Sequence, residues 1–428
     1  MRRPLARPML RVGGVAGLAA LGCTTRVPVA APTGVSALAR LDAVAPHALH
    51  YCAATAVDRR GEKPGGEPGH SVILVRGLAL DPRAPYPRVR LAPLGAPPES
   101  ASAGLSVNRD FTNVNWIGSP APWFFLRGDA PPDAESLRLA DVERTVERAL
   151  ALGVFRGVTT NLPANPDSTL RQRIAETSVA TDFALTFGRT LECVVVPLTP
   201  SMLAPLAAHL NDRNARYAET GRPYHWNGLR NNCAHLGHNA LAALGIVRPL
   251  ELDRHGPAEL FDVAIPANEL AVMLAATTDG ALGEPDDVLA YWRDTRRRRL
   301  LLEHGWLAPR PGAMLVVHHQ LPFADSTYAD AERLWFVRAR PLVHGRAATV
   351  ERAMRTPRLT DLDSNLTWFA SRARRSLAAR RPPEHHRAAV GADSLAFADF
   401  HARFYAAVDA QLRAVESVGG RGVPEGPR

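Results

Sequence analysis

Arg222-Pro223-Tyr224-His225-Trp226-Asn227-Gly228-Leu229-Arg230-Asn231-Asn232-Cys233-Ala234-His235-Leu236-Gly237-His238-Asn239-Ala240-Leu241 is the stretch from which the fold is read. Gly228 and the asparagine pair mark a loop, and either Asn231 or Asn232 suits a helix N-cap. From Ala234 onward Leu236, Ala240, Leu241 and Leu244 recur at helical spacing, and Gly245 supplies the stop. Cys233 therefore falls in the first helical turn. Free backbone N–H groups and the positive end of the helix dipole stabilise a thiolate there and lower the thiol pKa. Such a cysteine becomes a nucleophile when a base stands beside it.

The base has to be a histidine. His235 lies two positions on and occupies another face of the helix, and His238 is little better placed. Both are expected to pack or hydrogen-bond locally. His225, in the loop before the helix, remains a candidate. His70 is the stronger one. It follows a turn-dense loop, residues 59–69, and opens Ser71-Val72-Ile73-Leu74-Val75-Arg76-Gly77, which reads as a buried strand. A strand can hold an imidazole rigidly against a helix start. Cys233, His235 and His238 fit no standard zinc spacing and lack an evident fourth ligand, so neither a metal nor another cofactor is expected. His318 and His319, adjacent in a strand, point to opposite faces. The chain carries no Gly-rich phosphate loop, nucleophile-elbow serine or dinucleotide fingerprint.

A histidine opening a strand (Gly69-His70-Ser71-Val72-Ile73-Leu74), followed much later by Asn232-Cys233-Ala234-His235 at a helix start, resembles circularly permuted papain-like enzymes. These include NlpC-like hydrolases and the lecithin–retinol acyltransferase group. The resemblance covers roughly residues 65–250, and the wide separation of histidine from cysteine requires insertions. It implies Cys233 as nucleophile and His70 as base, with a polar third residue orienting the imidazole. Asp81, Asp110, Asn113 and Asn115 are the candidates for that third residue. The last three lie in Val107-Asn108-Arg109-Asp110-Phe111-Thr112-Asn113-Val114-Asn115-Trp116, unusually dense in Asn and Asp for a strand. Asn232, beside the nucleophile, and Asn113 and Asn115 are the candidate binding residues.

At the other end of the chain, Arg2, Arg3, Arg7 and Arg11 precede an apolar run from Val12 to Leu21, too short to span a bilayer. A charged start, a short apolar core and small residues before Cys23 describe a secretory signal over 1–22. Ala20-Leu21-Gly22-Cys23 resembles a bacterial lipobox, which implies lipid on Cys23 and attachment to a membrane of the cell envelope on its periplasmic side. Residues 23–45, rich in Ala, Pro, Thr and Val, read as a tether. Export permits disulfides, and Cys52 and Cys193 are the candidate pair, two buried free thiols being the alternative.

The net charge of +9 raises the question of nucleic acid. Lys63 is the only lysine, and no aromatics are interleaved with the arginines to stack bases, so nucleic acid is not expected as a partner. Anionic lipid or cell-wall polymer suits the charge better. The arginine clusters at 296–299 and around Arg372–Arg381 read as solvated helix faces.

Strands are expected at Arg88–Leu91, Trp123–Arg127, Leu191–Val196 and Met314–Val317. Helices are expected at Asp141–Leu152, from Asp167 or Ser168 to Ile174, at Ser178–Phe187 and from Ser201 towards Tyr217. The expected fold is α+β: a permuted papain-like domain over 46–265, then a mostly helical C-terminal region over 266–428. The expected function is that of an envelope lipoprotein acting as a cysteine hydrolase or acyltransferase on an amide or ester. Its substrate would be a cell-wall peptide, an isopeptide or an acyl chain from lipid. The competing expectation is a non-catalytic envelope lipoprotein that uses the same scaffold for binding.

Overall fold

Ala48–Ala54 carries little but apolar side chains, and in the structure, a computed structural model, all of them are buried. A strand buried along its whole length has both faces covered. This strand (β1) is the middle of a six-stranded antiparallel sheet. The others are β2 (His70–Arg76), β3 (Ser102–Ser106), β4 (Ile117–Pro120), β5 (Leu191–Pro197) and β6 (Val316–His319), in the order β6-β5-β1-β2-β3-β4. Described are residues 23–28, 35–54, 57–59, 70–93, 95–96, 100–120, 134, 136, 138–161, 191–247, 263–278, 288–319, 328–330, 333–338, 352–353 and 355–419. The signal at 1–22, the strand at Trp123–Arg127 and the helices within 167–187 lie outside the described residues.

Seven helices matter for the site and its support: α1 (Val35–Val44), α2 (Leu139–Ala151), α3 (Pro200–Ala218), α4 (Cys233–Ala243), α5 (Pro266–Thr278), α6 (Leu362–Ala378) and α7 (Ser394–Gly419). The protein is thus a mixed α+β fold. Helix α4 lies against the middle of the sheet by way of Gly237. A Cβ there would stand 2.9 Å from Tyr51 Cε2 and 3.0 Å from Ile73 Cγ2, so only glycine permits this approach. Helix α5 contacts both β1 and β5. Among the described residues no helix is long and apolar enough to cross a membrane.

Two expectations change. Within the stretch expected to be an irregular tether, Cys23–Pro28 pairs antiparallel with Arg333–Arg338, and Val35–Val44 is α1. Leu41 and Ala45 are buried, Leu38 and Val44 pack against the same core, and Asp42 ion-pairs with Arg76 of β2. The stripe was hidden because alanine offers little contrast in a stretch where it is abundant. Nor does position 265/266 separate two cores. The main cluster runs from Leu41 and Ile73 to Phe369, Val415 and Val418, and β6 completes the sheet on β5. A smaller cluster around Tyr291, Trp292, Phe397, Phe400 and Phe404 is built entirely from the C-terminal part.

Candidate active site

Cys233 is the first residue of α4, and Asn232 is its N-cap. Asn232 Oδ1 accepts from the N–H of Ala234 (3.0 Å) and of His235 (3.3 Å). Its Nδ2 donates to the carbonyls of Gly228 (2.7 Å) and Ala264 (2.6 Å), the latter leading into α5. All of its hydrogen-bonding capacity goes to fixing the helix start. It therefore positions Cys233 and is not placed as a binding residue. The amide of Cys233 itself is one of the first helical N–H groups, which have no intrahelical acceptor.

His70 opens β2 and meets this helix start. Burial pushes the Cys233 thiol up, but the charge of His70 and hydrogen bonding from it outweigh this, so the thiol titrates below its ordinary value. The other side of the imidazole is held by Ser106 of β3, whose Oγ lies 2.9 Å from His70 Nε2. With Nε2 engaged there, Nδ1 is left for the sulfur. All three residues are buried, Cys233 and His70 each 8% exposed.

The polar side chain that meets His70 is thus Ser106, and the four candidates named from the sequence are engaged elsewhere. Asn113 spans to another loop, donating to Gly157 O (2.6 Å) and accepting from Thr159 N (2.8 Å). Asp81 and Asp110 sit in turns. Asn115 donates to Asn231 Oδ1 (3.2 Å) and so braces the loop before Cys233. Asn113 and Asn115 are therefore structural ties where they stand. His225 is exposed. His235 Nδ1 lies 2.7 Å from Asn232 Oδ1, and His238 Nδ1 lies 2.9 Å from Glu269 Oε1 on α5, so neither serves Cys233. Burial, with the charges of His238 and Arg213, pushes His235 down to about 4. Burial also pushes the Glu269 carboxyl up, beyond what His238 recovers. Among the described residues no group of His, Cys, Asp and Glu is arranged to hold a metal.

Comparison of the chain with family models, with curated proteins and with solved structures gave no match. Tyr224, to which the sequence pattern assigns no role, is buried, is an electrostatic neighbour of Cys233 and donates to the carbonyl of Asn231 (3.2 Å). Its phenol is pushed up by burial and by Tyr217 and Cys233, so it stays neutral. Cys52 and Cys193, opposite each other on β1 and β5, are joined by a disulfide with a Cα separation of 3.9 Å. Cys233 is a free, buried thiol. Cys23 begins the strand that pairs with Arg333–Arg338.

Proposed function

We propose that this chain is a cysteine hydrolase or acyltransferase of the permuted papain-like kind, exported and held to the cell envelope by lipid on Cys23. The observation that carries the catalytic part is the hydrogen-bonded row Cys233–His70–Ser106, with the thiol at a helix start and pulled below its usual pKa. The order of the parts supports it too: histidine on one strand, its polar partner on the neighbouring strand, cysteine later on a helix. The buried Cys52–Cys193 disulfide accords with an oxidising compartment.

In the mechanism, the Cys233 thiolate attacks the carbonyl of an amide or ester. The tetrahedral oxyanion lies near the Cys233 N–H at the positive end of α4. Protonated His70 gives its proton to the leaving amine or alcohol as the C–N or C–O bond breaks, leaving an acyl thioester. Neutral His70 then takes a proton from water or from an acceptor alcohol or amine, whose attack releases the acyl group and restores the thiolate. Ser106 accepts from His70 Nε2–H, which keeps the Nδ1 lone pair facing the sulfur.

Alkylation by iodoacetamide as a function of pH tests the pair. Cys233 should react well below the ordinary thiol range near pH 8.5. His70→Ala should move the profile up by about one unit or more, with the fold checked by circular dichroism. His225→Ala should leave it where it is. A Cys233 that is inert in the folded protein at every pH up to about 9, beyond the ordinary thiol pKa, ends the catalytic reading and leaves a binding scaffold. The anchor is tested separately. Cys23→Ser should move the protein out of the membrane fraction, and a mature mass equal to the unmodified peptide would refute lipidation.

A further inference from the structure

Linked to the loop before the thiol through Asn231 stands a cation with no ion-pair partner among the described residues. Arg213 of α3 is half-buried, and among the described residues its side chain makes one hydrogen bond, from Nη2 to Asn231 Oδ1 at 3.0 Å. No carboxylate of the described residues comes within ion-pair distance of it. Its neighbour Asp212 is exposed and faces Arg216 at 3.8 Å. Thr220 to Leu250 contains no Asp or Glu at all, while Arg222 and Arg230 add positive charge to the loop that leads into Cys233.

The position ties this cation to the site. Asn231, its hydrogen-bond partner, is two residues before Cys233, and the same Oδ1 accepts from Asn115. Tyr224, whose hydroxyl donates to the Asn231 carbonyl, is an electrostatic neighbour of both Arg213 and Cys233. One helical turn before Arg213 is His209, whose Nε2 is buried without a hydrogen-bond partner among the described residues. Burial and the Arg213 charge push that imidazole down to about 4, so it stays neutral and remains a hydrogen-bond donor. A guanidinium offers five N–H donors, and a single amide oxygen leaves most of them unused. Holding such a charge partly out of water without an anion is costly, and a ligand anion removes that cost.

We propose that Arg213 holds an anionic group of the substrate, so that Cys233 acts on an acyl donor carrying a phosphate or a carboxylate near the reacting carbonyl. The proposal rests on the reading of Cys233 as nucleophile. It adds the substrate's charge, which that reading leaves open.

Two alkylating reagents separate the two claims in the full-length protein. Iodoacetamide and iodoacetate both lose iodide to the thiolate, but only iodoacetate carries a carboxylate. The rate at Cys233 with each is followed by peptide mass spectrometry. Arg213→Met should lower the iodoacetate-to-iodoacetamide rate ratio by about tenfold or more, as loss of a charge-assisted hydrogen bond implies. Arg213→Lys should keep part of it, and stands in if the methionine variant fails to fold. In the wild type, dimethyl phosphate or N-acetylglycine should slow iodoacetamide. Protection by the first marks a phosphodiester as the natural anion, and protection by the second marks a peptide carboxylate. A ratio unmoved by the substitution, or protection by neither anion, overturns the assignment while leaving the nucleophile intact. A Cys233 inert to iodoacetamide overturns the nucleophile and this assignment together.

Discussion

An imidazole serves as a base only if the right nitrogen faces the proton. Ser106 supplies that control. Its hydroxyl both donates and accepts, so it binds His70 Nε2–H while the imidazole is neutral and stays bound when the ring is protonated. Ser106→Ala leaves Nε2 buried without this partner, and a neutral hydrogen bond of this kind contributes about 0.5–1.5 kcal/mol. Cys233 alkylation near pH 6 should then slow roughly three- to tenfold, and Ser106→Thr should restore most of it. An unchanged rate and pH profile would mean that Ser106 merely packs. Cys233 and His70 were legible in the sequence because each stands at the start of an element, where a helix signal or an apolar run announces it. Ser106 was not. Serine ends a run of small residues, Ser102-Ala103-Gly104-Leu105-Ser106, with little of the β-branched or aromatic bulk that marks a strand. The Asn- and Asp-rich segment drew attention for a local reason. Asn108 bonds the backbone of Asp110 (2.9 Å), and Asn113 bonds the loop at 157–159, which is turn chemistry.

Between elements, the decisive contact is the approach of α4 to the sheet. Gly237 lets the helix rest on Tyr51 and Ile73, and Asn232 ties its start to the carbonyls of Gly228 and Ala264. These fix where the sulfur lies relative to β2. Gly237→Ala puts a methyl group against a buried ring and a buried isoleucine, neither of which has room to move. Overpacking of this sort costs about 1–3 kcal/mol, set against about 1 kcal/mol gained in helix propensity. We expect net destabilisation in urea unfolding and a slower Cys233 alkylation, because the helix start is pushed away from His70. A variant of wild-type stability and reactivity would show that the helix does not depend on this approach. The helix itself, with its glycine stop, and the apolar strands β1, β2 and β5 were readable because their patterns are strong. Strands β3 and β4 escaped because their pairing with β2 and with each other, rather than their composition, makes them strands.

At the scale of the molecule, the Cys52–Cys193 disulfide crosses the middle of the sheet and closes a loop of sequence separation 141. That loop contains β2, β3 and β4, and with them His70 and Ser106. The bond therefore bears on the whole scaffold around the site, while Cys233 is left as a thiol. Joining residues so far apart removes much chain entropy from the unfolded state, and the stabilisation expected is about 2–5 kcal/mol. Both sulfurs are fully buried between paired strands, so the native protein shields the bond from reductant. Cys52→Ala combined with Cys193→Ala should lower the unfolding free energy in urea by about 2–5 kcal/mol, with a steeper dependence on denaturant, because the unfolded chain without its cross-link is more open. The folded double variant should still alkylate at Cys233, because the disulfide holds the sheet and takes no part in the chemistry. Peptide mapping of the wild type without reductant checks the same bond directly. Recovery of Cys52 and Cys193 as separately alkylated thiols from oxidised cells would remove both the stabilisation and its support for an exported protein. Loss of Cys233 reactivity in a double variant that remains folded would instead make the disulfide part of how the site is held.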